Sequence, residues 1–182
     1  GPGGIRDHAS AYGRTGAITD DTQMTLFTAE GLLRAAAQGH PPGHAAYIAE
    51  VAQAYQRWLL TQDEDPAAHA GAEGLIRIAA LHSRRAPGTT CLAALSRMGA
   101  RNNSKGCGGV MRVAPAGLLL TGMIADEDRL AREAFTLGAE LAALTHGHPS
   151  GCLPAGVLAA LVALGAVLAE HDFSGVVLVK KG

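Results

Sequence analysis

Cysteine, net charge and long apolar runs are all scarce in this chain of 182 residues. Cys91, Cys107 and Cys152 are odd in number, far apart and form no Cys-x-x-Cys pair, which points to a reducing compartment, the cytoplasm, and away from zinc. With 15 Lys+Arg against 16 Asp+Glu, a net charge of -1 and a pI near 6.8, the chain has no basic field to hold nucleic acid, which is excluded as a main partner. The longest apolar run, Leu153 to Ala169, is interrupted by Pro154, Gly156 and Gly165 and falls short of the roughly 20 residues a bilayer span needs. It reads as a buried helix, and no membrane is expected as a partner. The amino end opens on Gly1-Pro2-Gly3-Gly4, a turn composition without a basic-then-apolar leader, and reads as mid-domain sequence. Strand-like composition is confined to Val176 to Val179, and four residues cannot make a sheet alone. There is no internal repeat and no low-complexity linker.

Helical periodicity is what the chain does have. Its 48% hydrophobic content suits one core, so residues 1–182 are taken as a single domain. Apolar residues predict helices over Asp20 to Ala37 and from Ala45 to about Thr61, the second placing Tyr55 and Trp58 in the core. Gln62 to Pro66 is a charged surface connection. Shorter helices follow over Leu75 to Ser83 and Cys91 to Met98, the latter capped by Thr89 or Thr90, with Arg84 and Arg85 in the turn between them. Val110 to Leu120, containing Pro115, is a short or broken helix. Asp126 to Thr145 carries the stripe Leu130, Ala134, Leu137, Leu141 and Leu144, and a last helix runs to Ala169 with Leu153, Val157, Leu161, Leu164 and Leu168 inside. The expected fold is all-α, a compact multi-helix domain.

Ile18-Thr19-Asp20-Asp21-Thr22-Gln23-Met24 joins a loop with Gly13 and Gly16 to the first helix. Capping satisfies only one or two backbone donors, and an acid in the first turn gains only about 0.3–1 kcal/mol from the helix dipole, so two adjacent carboxylates exceed what capping requires. Neighbours on a helix diverge by about 100°. Asp20 and Asp21 can therefore face two ions, or one ion and a water, and with Thr19 they form an all-oxygen set suited to Mg²⁺ or Mn²⁺. The alternative is a capped helix with a charged first turn.

A second cluster, Gly99 to Gly109, concentrates Asn102, Asn103, Ser104, Lys105, Gly106, Cys107, Gly108 and Gly109. Its small residues let a ligand approach the backbone, and it leads into a helix start, an arrangement that favours phosphate. Lys105 and Arg112 would add charge, Ser104 a hydroxyl and Asn103 an amide. It lacks the Gly-Lys-Ser/Thr ending of a nucleotide P-loop, and the competing reading is a plain surface turn. Cys107 has a nucleophile's chemistry, but no base is visible beside it. His146 and His148 flank Gly147 between two helices, either as a metal pair or as dipole-stabilised side chains, with His146 also suited to contact a ligand.

Thr19-Asp20-Asp21-Thr22-Gln23-Met24, Asn103-Ser104-Lys105-Gly106-Cys107-Gly108-Gly109-Val110-Met111-Arg112-Val113-Ala114-Pro115 and Leu144-Thr145-His146-Gly147-His148-Pro149, in this order and spacing, resemble the ADP-ribosylglycohydrolase family from about Gly3 to about Ala169. The resemblance implies an all-α hydrolase of ADP-ribosyl bonds acting on an ADP-ribosylated protein or an ADP-ribose-containing small molecule. It further implies a binuclear Mg²⁺ or Mn²⁺ centre with Thr19, Asp20 and Asp21 as ligands, Asp20 and Asp21 being catalytic through a metal-bound water. Asn103, Ser104, Lys105, Gly106, Cys107, Gly108, Gly109, Met111, Arg112 and His146 would bind the substrate. A non-catalytic ADP-ribose or nucleotide-binding or structural relative of the same fold is the alternative.

The chain also departs from the family pattern. Members carry an upstream segment with Gly-Asp and a further acid, and a second Asp-x-Asp-Ser/Thr motif near the C-terminus. Neither occurs here, where Asp172 is the only late aspartate, so the chain is expected to be a fragment holding half of the metal centre and binding metal weakly. Cys107 stands where many members have Asn, which removes an amide donor and acceptor from the loop.

Overall fold

A computed structural model describes residues 7–97 and 102–173, with side chains to Ala169. Among these residues are six α-helices, α1 (Asp20–Ala37), α2 (Ala46–Leu60), α3 (Thr89–Ser96), α4 (Ala114–Thr121), α5 (Glu127–Ala143) and α6 (Pro149–Phe173). The sheet content is one hairpin, Ser10–Ala11 paired antiparallel with Arg14–Thr15. Its turn residues Tyr12 and Gly13 both have positive φ, a combination whose twist matches that of the two strands. The all-α expectation holds. Val176 to Val179, Gly1 to Gly4 and Met98 to Arg101 lie outside the described residues.

α1 and α2 pack where Gly31 meets Val51, since a Cβ at Gly31 would come within 2.5 Å of the Val51 Cα. Tyr55 and Trp58 are fully buried, as their spacing predicted. The Trp58 indole donates to the Gln23 side-chain oxygen (3.4 Å), whose amide in turn donates to the carbonyls of Leu81 (3.1 Å) and Ser83 (3.0 Å). The segment after α2 is thereby held against α1.

That segment corrects the expected helix over Leu75 to Ser83. Two 3₁₀ turns, Leu75–Arg77 and Ala79–Leu81, form instead, with Ile78 extended between them. Of the carbonyls such a helix would use internally, that of Ile76 lies 2.7 Å from His82 Nε2 instead, while Gln23 takes those of Leu81 and Ser83 at the end of the segment and holds it against α1. α3 begins two residues earlier than expected, after Gly88. Val110 to Leu120 breaks as predicted, a 3₁₀ turn over Cys107–Arg112 giving way to α4, with Pro115 in the first turn where its missing N–H has no partner to lose.

α6 overturns the expected face. Leu153, Val157, Leu161 and Leu168 point outward with between 49% (Val157) and 65% (Leu168) of their surface exposed, and Leu164 is half-buried. The buried row is Ala155, Ala159 and Ala163. The reason is close backbone approach. A Cβ at Gly138 of α5 would stand 2.7 Å from the Ala159 Cβ and 2.8 Å from the Ala155 carbonyl, and one at Gly156 would stand 2.6 Å from the Phe135 carbonyl. A Cβ at Gly117 of α4 would collide with the Ala159 carbonyl. Helices this close have no room for leucine between them. α6 is also longer than the apolar run suggested, so Pro149–Ala169 is long and apolar enough, by length and composition, to cross a membrane.

Candidate active site

The first turn of α1 sets two carboxylates in different surroundings. The Asp20 side chain turns inward, 5% exposed, and Oδ2 accepts from the Gly88 N–H at 3.1 Å. Its own N–H donates to the Arg85 carbonyl at 2.9 Å. The segment that Gln23 pins to α1 thus also fixes Asp20. Burial raises the Asp20 pKa above the ordinary carboxylate value, the Gly88 N–H opposes that rise and the charge of Asp21 adds to it. Asp21 is exposed and accepts from the Thr19 hydroxyl at 2.7 Å. Thr19 stands at the N-cap position with extended backbone but makes no capping bond through its side chain. Its hydroxyl serves the second acid instead, which weakens the capped-helix alternative.

Among the described residues neither Asp20 nor Asp21 has an ion-pair partner, and a hard divalent ion facing these oxygens would offset the cost of ionising the buried Asp20. The three oxygen-bearing side chains suit the protein face of one Mg²⁺ or Mn²⁺ shell. Among the described residues no third His, Cys, Asp or Glu joins Asp20 and Asp21 in a group that could hold a metal.

Thr25 joins this turn to the glycine-rich segment, as its hydroxyl lies 2.7 Å from the Asp21 carbonyl and 3.2 Å from the Met111 carbonyl. Within that segment Asn102 is the latch. Its Oδ1 accepts from the N–H groups of Ser104 and Gly147, both at 3.0 Å, and its Nδ2 donates to the Thr145 carbonyl at 2.9 Å. Ser104 Oγ accepts from the Gly106 N–H (3.3 Å) and lies 3.3 Å from Thr90 Oγ1, while its carbonyl accepts from the His148 N–H. Asn103, Lys105, Gly106 and Cys107 are exposed on the outer side of this frame. No hydrogen bond among the described residues engages the free, exposed Cys107 thiol.

The glycines serve two purposes. Those at 106 and 108 make room for the His146 ring, since a Cβ at Gly106 would lie 3.3 Å from its Nε2 and one at Gly108 would lie 2.9 Å from its Cε1. Gly109 is a packing residue, buried where a Cβ would meet Ala142 of α5 at 2.6 Å and the Gly151 carbonyl of α6 at 2.8 Å.

His146 is 1% exposed and its Nδ1 lies 2.8 Å from Thr145 Oγ1. Burial first, then the positive charge of Arg112, lowers its pKa from 6.5 to about 4, so the ring is neutral at pH 7. His148 does a different job, its Nδ1 accepting from the Ser150 N–H at 3.0 Å at the start of α6. The two rings do not act as a metal pair.

Arg112 departs most from its expected place. Instead of lending charge to the loop surface, it is wholly buried, with its guanidinium 4.4 Å from the Tyr55 ring centre. Nη2 donates to the Leu141 carbonyl (3.2 Å) and to Thr145 Oγ1 (2.7 Å), while Nη1 lies 3.6 Å from both the Met24 and the Cys91 sulfurs. It touches α1, α2, α3 and α5 together and reaches the loop only through Thr145 and His146. Met111 is half-buried and contributes its carbonyl to Thr25.

The acidic turn, the glycine-rich segment and His146 thus form one connected region. Asn102, Thr145 and Gly88 belong to it although the sequence assigned them no role. Asn102 and Thr145 did lie within or beside the motifs, but nothing local to Gly88 marks it as a partner of Asp20.

The sequence model of the ADP-ribosylglycohydrolase family matches residues 1–177 of this chain. No curated protein and no solved structure matches it.

Proposed function

Since the chain belongs to the ADP-ribosylglycohydrolase family, whose activity is hydrolysis of ADP-ribosyl bonds, we propose that it acts in removing ADP-ribose from a modified protein side chain or a small molecule, using Mg²⁺ or Mn²⁺. The observation that carries this reading is the pairing of a desolvated carboxylate, Asp20, with an exposed one, Asp21, on a turn tied through Thr25 to the glycine-rich segment. Thr19, Asp20 and Asp21 would hold the metal, as half of a binuclear centre. When bound, such ions lower the pKa of a coordinated water and polarise the oxygens they face.

The chain's own residues do the positioning. Gly88 and the Arg85 carbonyl hold Asp20 in one orientation, and Thr19 does the same for Asp21. The exposed residues Asn103, Lys105, Gly106 and Cys107 admit the diphosphate and ribose closely, with the half-buried Ser104 and Gly108 beside them. His146 closes the inner side as a neutral ring. Its unpaired thiols suit a reducing, cytoplasmic setting.

A second reading, a non-catalytic ADP-ribose binder, draws on one specific observation. Glycoside cleavage ordinarily employs a further carboxylate as acid or base, and among the described residues no third His, Cys, Asp or Glu joins Asp20 and Asp21 in a group close enough to share an ion. Calorimetric titration of ADP-ribose with Mg²⁺, run beside hydrolysis assays on ADP-ribosyl-arginine and ADP-ribosyl-serine peptides, separates the two. Binding with turnover supports the hydrolase, and binding alone supports the second reading. In either case Asp20→Ala and Asp21→Ala should abolish the Mg²⁺ dependence of binding, and an unchanged Mg²⁺ response in both would remove the metal assignment.

A further inference from the structure

We propose that Arg112 and Thr145 are positioning residues that fix His146 as the tautomer protonated on Nε2, so that the ring presents a single N–H donor to an oxygen of the ligand held at Ser104 to Gly108. The tautomer follows from the hydrogen bonds alone. The ligand-facing part rests on the reading of that segment as the ADP-ribose site.

A guanidinium only donates, so at 2.7 Å from Nη2 the Thr145 oxygen must accept. The hydroxyl keeps one proton, and two acceptors compete for it. One is the Cys91 sulfur, a weak acceptor already beside Arg112 Nη1, and the other is the imidazole lone pair of Nδ1 at 2.8 Å. Were Nδ1 to carry the proton, Thr145 would receive two donors and spend its own proton on sulfur. Donation to Nδ1 satisfies all three groups, and the cation polarises the hydroxyl in the direction that strengthens it. With Nδ1 occupied as an acceptor, a neutral ring carries its proton on Nε2.

Nε2 has no hydrogen-bond partner among the described residues, and its nearest surroundings are the places where Gly106 and Gly108 have no side chain. An N–H on a buried ring that opens onto a space kept clear by two glycines is a donor placed to meet an acceptor. The phosphate and ribose oxygens of ADP-ribose are acceptors of the required kind. This also accounts for a guanidinium deep in the core with no carboxylate partner among the described ion pairs, since its second Nη2 bond organises the histidine instead of neutralising a charge.

The test is a long-range proton–nitrogen correlation spectrum of the ¹⁵N-labelled chain at pH 7, in which the two ring nitrogens of His146 report separately. The expected spectrum has a protonated Nε2 and a bare Nδ1. Thr145→Val should displace this toward a mixture and weaken ADP-ribose about tenfold, the loss of one hydrogen bond, with both effects reversed in Thr145→Ser. A wild-type ring protonated on Nδ1 or on both nitrogens would overturn the proposal without recourse to any variant, as would an unmoved tautomer in Thr145→Val. A displaced tautomer with wild-type ADP-ribose affinity would overturn the positioning role. If the wild-type chain bound no ADP-ribose at all, the proposed function would fail while the tautomer was still decided by the spectrum.

Discussion

Acidification from pH 7 to pH 4 should destabilise this protein through His146. Its ring titrates at 6.5 when free and at about 4 in the fold, where burial and the nearby Arg112 disfavour the imidazolium. Between those values the unfolded chain binds a proton that the folded one refuses. The stabilisation is therefore complete above pH 6.5 and is lost as the pH falls through the window down to about 4. Each pH unit within the window is worth about 1.4 kcal/mol, so about 3 kcal/mol is gone by pH 4. Asp20 acts with the opposite sign, since its raised pKa relieves an unfavourable ionised form as the pH falls, and other carboxylates add their own terms. A comparison cancels these contributions. Urea unfolding of the wild type and of His146→Gln at pH 7 and pH 4 should show the wild type losing about 3 kcal/mol more than the variant across that interval, whatever their difference at pH 7. Equal losses in the two proteins would mean that His146 titrates normally, and the description of its buried, Arg112-facing environment would be wrong.

Two packing predictions accompany it. Ala159→Leu places a large side chain where α4, α5 and α6 approach most closely and should cost about 1–3 kcal/mol or more, whereas Leu161→Gln on the outward face should stay within about 0.5 kcal/mol; urea midpoints that reversed this order would put the leucines back in the seam. Gly108→Ala sets a methyl 2.9 Å from the His146 ring and 3.0 Å from the Cys91 sulfur, and should also cost about 1–3 kcal/mol. Adding Cys91→Ala removes one of the two obstructions and should recover part of that loss, while strictly additive effects in thermal melts would show that the two sites do not touch.

Much of the helical framework was legible because it is written locally. α1 was bounded by the acids of its first turn and the glycine after its last, and α5 by Asp126 at its N-cap, whose side chain accepts from the Arg129 N–H. Both helices carry apolar stripes with a direction. α6 does not. It is apolar on nearly every side, so a leucine periodicity within it says nothing about which side faces in, and a seam of Gly117, Gly138, Gly156 and Ala159 assembled from three helices decided the matter. The turns over Leu75 to Leu81 were missed for a related reason, since the segment is pinned at its end by Gln23, about sixty residues away in sequence, which binds the carbonyls of Leu81 and Ser83.

In the site, residue types came from the sequence and roles from the fold. The adjacent pair Asp20 and Asp21, the glycines at 106, 108 and 109, and His146 stand out from sequence alone because their chemistry and spacing are unusual. Only the tertiary structure separated the buried carboxylate from the exposed one, through a loop whose Gly88 arrives from outside the motif. It likewise turned Arg112 from an expected surface charge into the buried support of a histidine. Burial and hydrogen-bond partners depend on segments brought together across the chain, and those contacts, not the residue types alone, set the charge and orientation of each group.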